Sequence, residues 1–278
     1  VTRRVIVTRP ASQAGKWVGA LAQAGFDAVA LPLITIQPAS DAAAVQAAWL
    51  RLAHYDAVMF VSANAVDQFF ALKPAGALDF SGLFATKTRA LVTGPGSRAA
   101  LVRAQVDPAR VDAPDPAAQQ FDSEALWSVA GSAIGPGSRV LVVRGAQAQG
   151  SDIAEGGQDE DDAGPAQGVG RDWFAGQVRA AGGQVDFLVA YQRSAPAWDM
   201  AAQALALRAA ADGSVWLFSS SEALERLQAL MPAADWRHAR AVVTHARIGA
   251  AARALGFGVV CESRPALADL VASIESLQ

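Results

Sequence analysis

Along the chain, short apolar runs end in small, polar or glycine-containing residues, and segments with apolar positions at spacings of three and four follow them. Six junctions carry this pattern: VIVTRPAS from Val5, VMFVSANAV from Val58, ALVTGPGSR from Ala90, VLVVRGA from Val140, VWLFSSSEAL from Val215 and AVVTHARIG from Ala241. Each reads as a buried strand, a turn and a helix. Alternation of this kind predicts an α/β fold with parallel sheets covered by helices on both faces. The helical spacing of Trp17 with Leu21, and of Leu224, Leu227 and Leu230, predicts packing faces rather than cofactor contacts.

Two stretches break the rhythm, LPLITIQP over Leu31–Pro38 and FLVAYQRSAP over Phe187–Pro196. Both read as extended, and prolines bound the first and close the second, which suits a pair of linker strands between two domains. One domain is then discontinuous, made of residues 1–37 and 194–278, with a second α/β domain over 38–193 inserted into it. A region at about 146–168 is dominated by Gly, Ala, Gln and acidic residues, with Ile153 as its one large aliphatic side chain. Such a composition cannot bury enough surface to offset its ordering entropy, so a flexible insertion is expected. Its acid run Asp159–Asp162 lacks the ligand alternation of a calcium loop.

A length of 278 residues, half of them apolar, suffices for two cores. The net charge of −3 provides no basic face for nucleic acid or an anionic membrane. One cysteine, Cys261, permits no internal disulfide, and no Cys/His cluster has metal-ligand spacing. With no apolar signal region after the opening arginines and no uninterrupted apolar run of spanning length, a cytoplasmic protein is expected.

Chemistry has few carriers. Ser62 or Asn64 at the end of VMFV either caps the next helix or faces a ligand, since open parallel sheets bind ligands beyond the carboxyl ends of their strands. In VTGPGSR, Gly94 and Gly96 allow close backbone approach and Ser97 opens a helix. The lysine of a Walker loop and the spacing of a dinucleotide loop are absent. No GxSxG elbow surrounds Ser62, Ser219, Ser220 or Ser221. Of three histidines, His54 and His238 read as surface residues, whereas His245 stands at a strand end beside Thr244 and Arg247. Tyr55 reads as packing. Tyr191 lies on the second linker strand, where a phenol is a proton donor rather than a base at neutral pH.

In order and spacing, VTRP at Val7–Pro10, LPLI, FVSANAV, VTGPGSR, VLVVRG, GRDWF at Gly170–Phe174, VAYQR at Val189–Arg193, FSSSEAL and ARIGAAARALGF resemble the uroporphyrinogen-III synthase family over nearly the whole chain. The resemblance implies two flavodoxin-like α/β domains with parallel sheets, joined by a two-stranded linker, with the active site between them. It further implies cyclisation of hydroxymethylbilane, a linear tetrapyrrole with eight carboxylates, to uroporphyrinogen III with inversion of the terminal ring. No metal or other cofactor is expected, and the partners are the tetrapyrrole, with neither nucleic acid nor membrane. A monomer is expected, with transient contact to the preceding enzyme of the pathway. By position in the motifs, Tyr191 is the expected acid. Arg9, Ser62, Ala63, Asn64, Gly94, Gly96, Ser97, Arg144, Ser219, Ser220, His245 and Arg247 are the expected substrate-binding residues. About twenty residues separate Gly145 from Gly170, where the family runs quickly from VRG to its GRxW, so the placing of Arg144 and Arg171 is open. The competing reading is a non-catalytic two-domain binding protein for a small anion, and a nucleotide-binding enzyme comes third.

Overall fold

A computed structural model describes residues 4–78, 80, 86–118, 120–148 and 169–277; residues 149–168 of the expected insertion lie outside the described residues. The strands are β1 Arg4–Val7, β2 Asp27–Ala30, β3 Thr35–Pro38, β4 Ala57–Phe60, β5 Arg89–Val92, β6 Val111–Asp112, β7 Arg139–Gln147, β8 Gln184–Ser194, β9 Val215–Phe218, β10 Arg240–Val243 and β11 Val259–Glu262. The helices are α1 Ala11–Gln23, α2 Ala42–Leu50, α3 Ala63–Ala71, α4 Pro95–Arg103, α5 Ser123–Ala130, α6 Val169–Ala180, α7 Met200–Ala211, α8 Ser221–Leu230, α9 Ala246–Leu255 and α10 Leu267–Ser276. Side chains define several helix starts by accepting an otherwise unpaired backbone N–H: Asp41 for α2, Ser62 for α3, Asp122 for α5 and Asp199 for α7. Gly256, at φ 98°, ends α9 in the left-handed conformation that glycine tolerates.

The described residues divide into two compact units, one from 4–36 and 194–277, the other from 37–148 and 169–193. Both crossings fall in strands, at residues 36 and 37 within β3 and at 193 and 194 at the end of β8.

In the discontinuous unit the sheet order is β2-β1-β9-β10-β11, all parallel. Register pairs Ile6 with Trp216 and Trp216 with Ala241, so alternate residues fall on opposite faces. Ile6, Trp216, Phe218, Ala241 and Val243 pack against Leu224, Leu227, Trp236 and Phe257. Val5, Val7, Val215, Leu217 and Val242 pack against Ala14 and Leu21 of α1 and Leu270 and Ile274 of α10. Both faces of β1, β9 and β10 are covered, which is why these strands read as unbroken apolar runs. Trp216 can be buried because its indole N–H donates to the Ala209 carbonyl at 3.1 Å.

In the inserted unit the order is β6-β5-β4-β7-β8, with β3 beyond β8. The strands from β4 to β8 run parallel. Met59, Leu91 and Val142 face Leu126, Phe174 and Val178, while Phe60 lies with Trp49, Phe69, Phe70 and Phe80 in an aromatic cluster in which Trp49 stacks on Phe69 at 4.4 Å.

Two expectations change in detail. VLVVRGA is not a junction: β7 runs on through Gly145 to Gln147, and Gln147 pairs with Arg193. Of LPLITIQP only Thr35–Pro38 is strand, because Leu31, Leu33 and Ile34 are drawn into the core of the discontinuous unit.

The strand orders locate the crevices. From β1 the chain turns to β2 on one side, while β9 lies on the other; from β4 it turns to β5, while β7 lies opposite. Ligands of open parallel sheets bind outside the carboxyl ends of strands at such reversals. The relevant ends are Thr8–Pro10 and Ser219–Ser220 in one unit, and Val61–Asn64 and the later part of β7 in the other.

Candidate functional site

In the inserted unit, the reversal between β4 and β7 holds Ser62, Gly145 and Tyr191. Ser62 has extended backbone and is the N-cap of α3; its Oγ accepts the Ala65 N–H at 3.1 Å. The same oxygen lies 3.1 Å from the Tyr191 hydroxyl. The two roles weighed for this serine are thus compatible, since a hydroxyl oxygen that accepts one bond still has a lone pair and a proton to offer. Ala63 and Asn64 begin the helix, at the positive end of its dipole.

Tyr191 is buried, only 3 % exposed. Its position depends on an irregularity in the ladder: Arg144 pairs with Val189 but Gly145 with Tyr191, so Ala190 is an extra residue on β8. Such bulges re-aim the side chain that follows them. The ring then lies on the backbone of Gly145, where an added β-carbon would come within 2.4 Å of the ring atoms Cε2 and Cζ. Glycine is required here for close approach.

In the discontinuous unit, the reversal between β1 and β9 holds Arg9. Its guanidinium lies 4.4 Å from the centre of the Trp17 ring and donates a long bond of 3.4 Å to Gln13 Oε1. No carboxylate among the described residues pairs with it. Burial lowers its pKa to about 10, because taking the charge out of water disfavours the protonated form. Arg9, Trp17, Ser219, Thr244 and Leu270 line a small cavity. A half-buried guanidinium with no counter-charge among the described residues, at the edge of a cavity with two hydroxyl-bearing residues, is suited to a carboxylate.

The other expected residues are distributed more loosely. Gly94 is the N-cap of α4, with Pro95 after it; Gly96 is exposed with open space around it, and Ser97 is buried with Ala100 and Leu101. The Arg144 guanidinium lies over the exposed ring of Phe187 at 4.8 Å, rather than against Tyr191. Ser219 is exposed, and Ser220 is the N-cap of α8 without a side-chain bond. His245 caps α9: its Nδ1 accepts the Arg247 N–H at 3.1 Å, so in the neutral ring the proton sits on Nε2. Arg247 is exposed. The side chain of Arg171 lies outside the described residues.

Sequence reasoning missed Gly145 and Trp17 as parts of these sites. Trp17 has the spacing of a packing residue and does pack, but its other face carries Arg9. Tyr55, read as packing, is buried and also polar: its hydroxyl donates to Asp186 at 2.9 Å, and Asp186 is paired with Arg139 at 3.0 Å. Burial, and then the bond to Asp186, raise its pKa.

Among the described residues no group of three or more His, Cys, Asp or Glu is arranged to hold a metal ion, and no helix is long and apolar enough to cross a membrane.

Comparison with known proteins bears on these crevices. Two solved structures are similar over almost the full length of both chains. A mutant uroporphyrinogen III synthase from the extremely thermophilic bacterium Thermus thermophilus is 16 % identical with a TM-score of 0.55, covering 99 % of this chain and 98 % of its own. The uroporphyrinogen-III synthetase of Helicobacter pylori is 12 % identical with a TM-score of 0.54, covering 100 % of each chain. At these identities the likeness establishes the two-domain α/β fold. No curated protein sequence matches the chain. The family model described as uroporphyrinogen-III synthase HemD matches residues 15–157, just over half of the chain, including the strand ends that carry Ser62 and Gly94 and the strand that carries Gly145. The chain therefore belongs to the uroporphyrinogen-III synthase HemD family, hydro-lyases of haem biosynthesis.

Proposed function

We propose that the chain cyclises hydroxymethylbilane to uroporphyrinogen III, with inversion of the terminal ring and loss of water, as a cytoplasmic monomer that needs no cofactor. The observation that carries the residue assignment is the Tyr191 hydroxyl, held by Ser62 at the reversal between β4 and β7. The substrate supplies its own driving electrons: the pyrrole nitrogen pushes toward the hydroxymethyl carbon as its C–O bond breaks. The Tyr191 O–H gives its proton to the departing oxygen, which leaves as water, and an N-protonated azafulvene cation remains beside the phenolate. Attack by the substituted carbon of the last ring, fragmentation and reclosure invert that ring. The proton lost when the pyrrole regains aromaticity balances the one given by the phenol.

Little else is asked of side-chain chemistry. The protein's main contribution is to hold a flexible chain in the conformer that closes with inversion. The carboxylates of the substrate fall to Arg9, Arg144, Arg247 and His245, to the hydroxyls of Ser97 and Ser219, and to backbone N–H groups of Ala63, Asn64, Gly94, Gly96 and Ser220, while the Ser62 hydroxyl stays with Tyr191. Arg9 is the best supported of the cations, because it is half-buried, its pKa is lowered by desolvation, and it lacks an acidic partner among the described residues.

The test is Tyr191→Phe assayed with hydroxymethylbilane. Loss of a general acid lowers kcat by about 100-fold and leaves KM close to wild type. Wild-type kcat in this variant, under conditions where chemistry limits the rate, would remove the acid role from Tyr191.

A further inference from the structure

We infer that Ser62 is a positioning residue for the reaction: it orients the Tyr191 hydroxyl so that the phenol proton points to substrate, and it holds the phenolate after that proton has left. The inference rests on the reading of Tyr191 as the acid and adds the group through which that acid is set.

Its basis is the pair of bonds at one oxygen. Ser62 Oγ accepts the Ala65 N–H at 3.1 Å and so is fixed in direction by the first turn of α3. The hydroxyl proton of Ser62 remains available, and the Tyr191 oxygen lies 3.1 Å away. Ser62 Oγ is the polar partner of the Tyr191 hydroxyl among the described residues. When Ser62 donates, the Tyr191 proton is free to point elsewhere; when Tyr191 donates to Ser62, it is withheld. Arrival of the leaving oxygen, a better acceptor as its C–O bond stretches, favours the first arrangement.

The chain N–H of Ala65 to Oγ of Ser62 to the oxygen of Tyr191 also connects the phenol to the positive end of α3. Once the proton has moved to the departing oxygen, the phenolate accepts from Ser62, a charge-assisted bond stronger than the neutral one it replaces. Stabilisation that grows along the reaction lowers the barrier, whereas equal stabilisation throughout would not. Gly145 completes the arrangement by letting the ring lie on the strand, with an added β-carbon excluded at 2.4 Å. The phenol is thus fixed at the ring by β7 and at the oxygen by α3.

Ser62→Ala removes both the donor and the helix cap, Ser62→Gly removes the donor while keeping most of the capping, and Ser62→Thr keeps both. Each is assayed for kcat and KM and by the carbon resonance of Tyr191 Cζ in tyrosine-labelled protein. The chain has two tyrosines, so Tyr191→Phe assigns that signal. Ala and Gly variants are expected to lower kcat about tenfold with KM within about twofold, and to move the Cζ resonance; Thr restores both. In a Tyr191→Phe background, Ser62→Gly should cause no further loss. If Tyr191→Phe itself leaves kcat unchanged, the acid reading has failed. If Tyr191→Phe is impaired but Ser62→Gly keeps wild-type kcat and an unmoved resonance, Ser62 is a helix cap only and the inference is overturned. An equal further loss in the Tyr191→Phe background overturns it too.

Discussion

Replacing Arg9 with Met should stabilise the free protein and weaken its hold on substrate. Methionine keeps an unbranched apolar chain against Trp17 while removing a charge that burial disfavours. Burial lowers the guanidinium from its ordinary value to about 10. At about 1.36 kcal/mol per pH unit, the site disfavours the charged form by about 3 kcal/mol. Stacking on Trp17 offsets about 1 kcal/mol of this, and the long bond to Gln13 adds little. A net gain of about 1–2 kcal/mol is expected at neutral pH. The sign with pH follows from a lowered basic pKa: the penalty is present in full below about pH 10 and is relieved as the native guanidinium loses its proton above it. Variant and wild type should therefore converge in stability as pH rises through about 10. With substrate the balance reverses, since a hydrogen bond between charged partners contributes about 1.5–3 kcal/mol, or about 10- to 150-fold in KM. Urea unfolding followed by tryptophan fluorescence at pH 7.5 and above 10 gives the first quantity, and steady-state kinetics the second. A variant less stable than wild type by more than about 1 kcal/mol, with unchanged KM, would show that Arg9 is a structural residue.

Gly145→Ala should act on rate more than on fold. The added β-carbon overlaps the Tyr191 ring, so the ring must shift by about 1 Å, which costs about 100-fold in kcat, while overpacking costs about 1–3 kcal/mol in denaturant unfolding. Wild-type kcat in this variant would contradict the placing of the phenol. Tyr55→Phe should flatten the fall of stability at high pH. With its acid pKa raised in the native state, Tyr55 contributes stability that is present below about pH 10, the unfolded value, and lost as pH rises through the folded value. Unfolding midpoints from pH 8 to 11 with the same slope in both proteins would contradict this.

The parts of the fold legible in the sequence were those set by local pattern. Strands such as Val58–Phe60 and Val215–Phe218 are apolar throughout because both sheet faces are covered, and the small residues after them mark the turns into helices. The continuation of β7 through Gly145 was not legible, since a glycine after an apolar run has the same appearance whether it opens a turn or admits a ring from the neighbouring strand. The bulge at Ala190 depends on the register of two strands distant in sequence, and no local signal announces it. Ser62 was recognisable as cap or ligand residue, but its bond to Tyr191, 129 positions away, is a tertiary fact. Arg9 was legible as a cation but not as one withdrawn from water, because its place over Trp17 emerges only from the packing of α1 on the sheet.

The central claim is tested most directly by the isomer formed. Purified protein, stripped of metals and given no nucleotide, is mixed with freshly prepared hydroxymethylbilane, and the products are oxidised and separated by chromatography. Because the substrate closes slowly by itself without inversion, consumption alone is uninformative and the ratio of isomers is the quantity that counts. The expected result is uroporphyrinogen III in excess over isomer I, by a margin that grows with protein concentration. Isomer I alone, formed at the spontaneous rate in the presence of folded protein, would contradict the assignment.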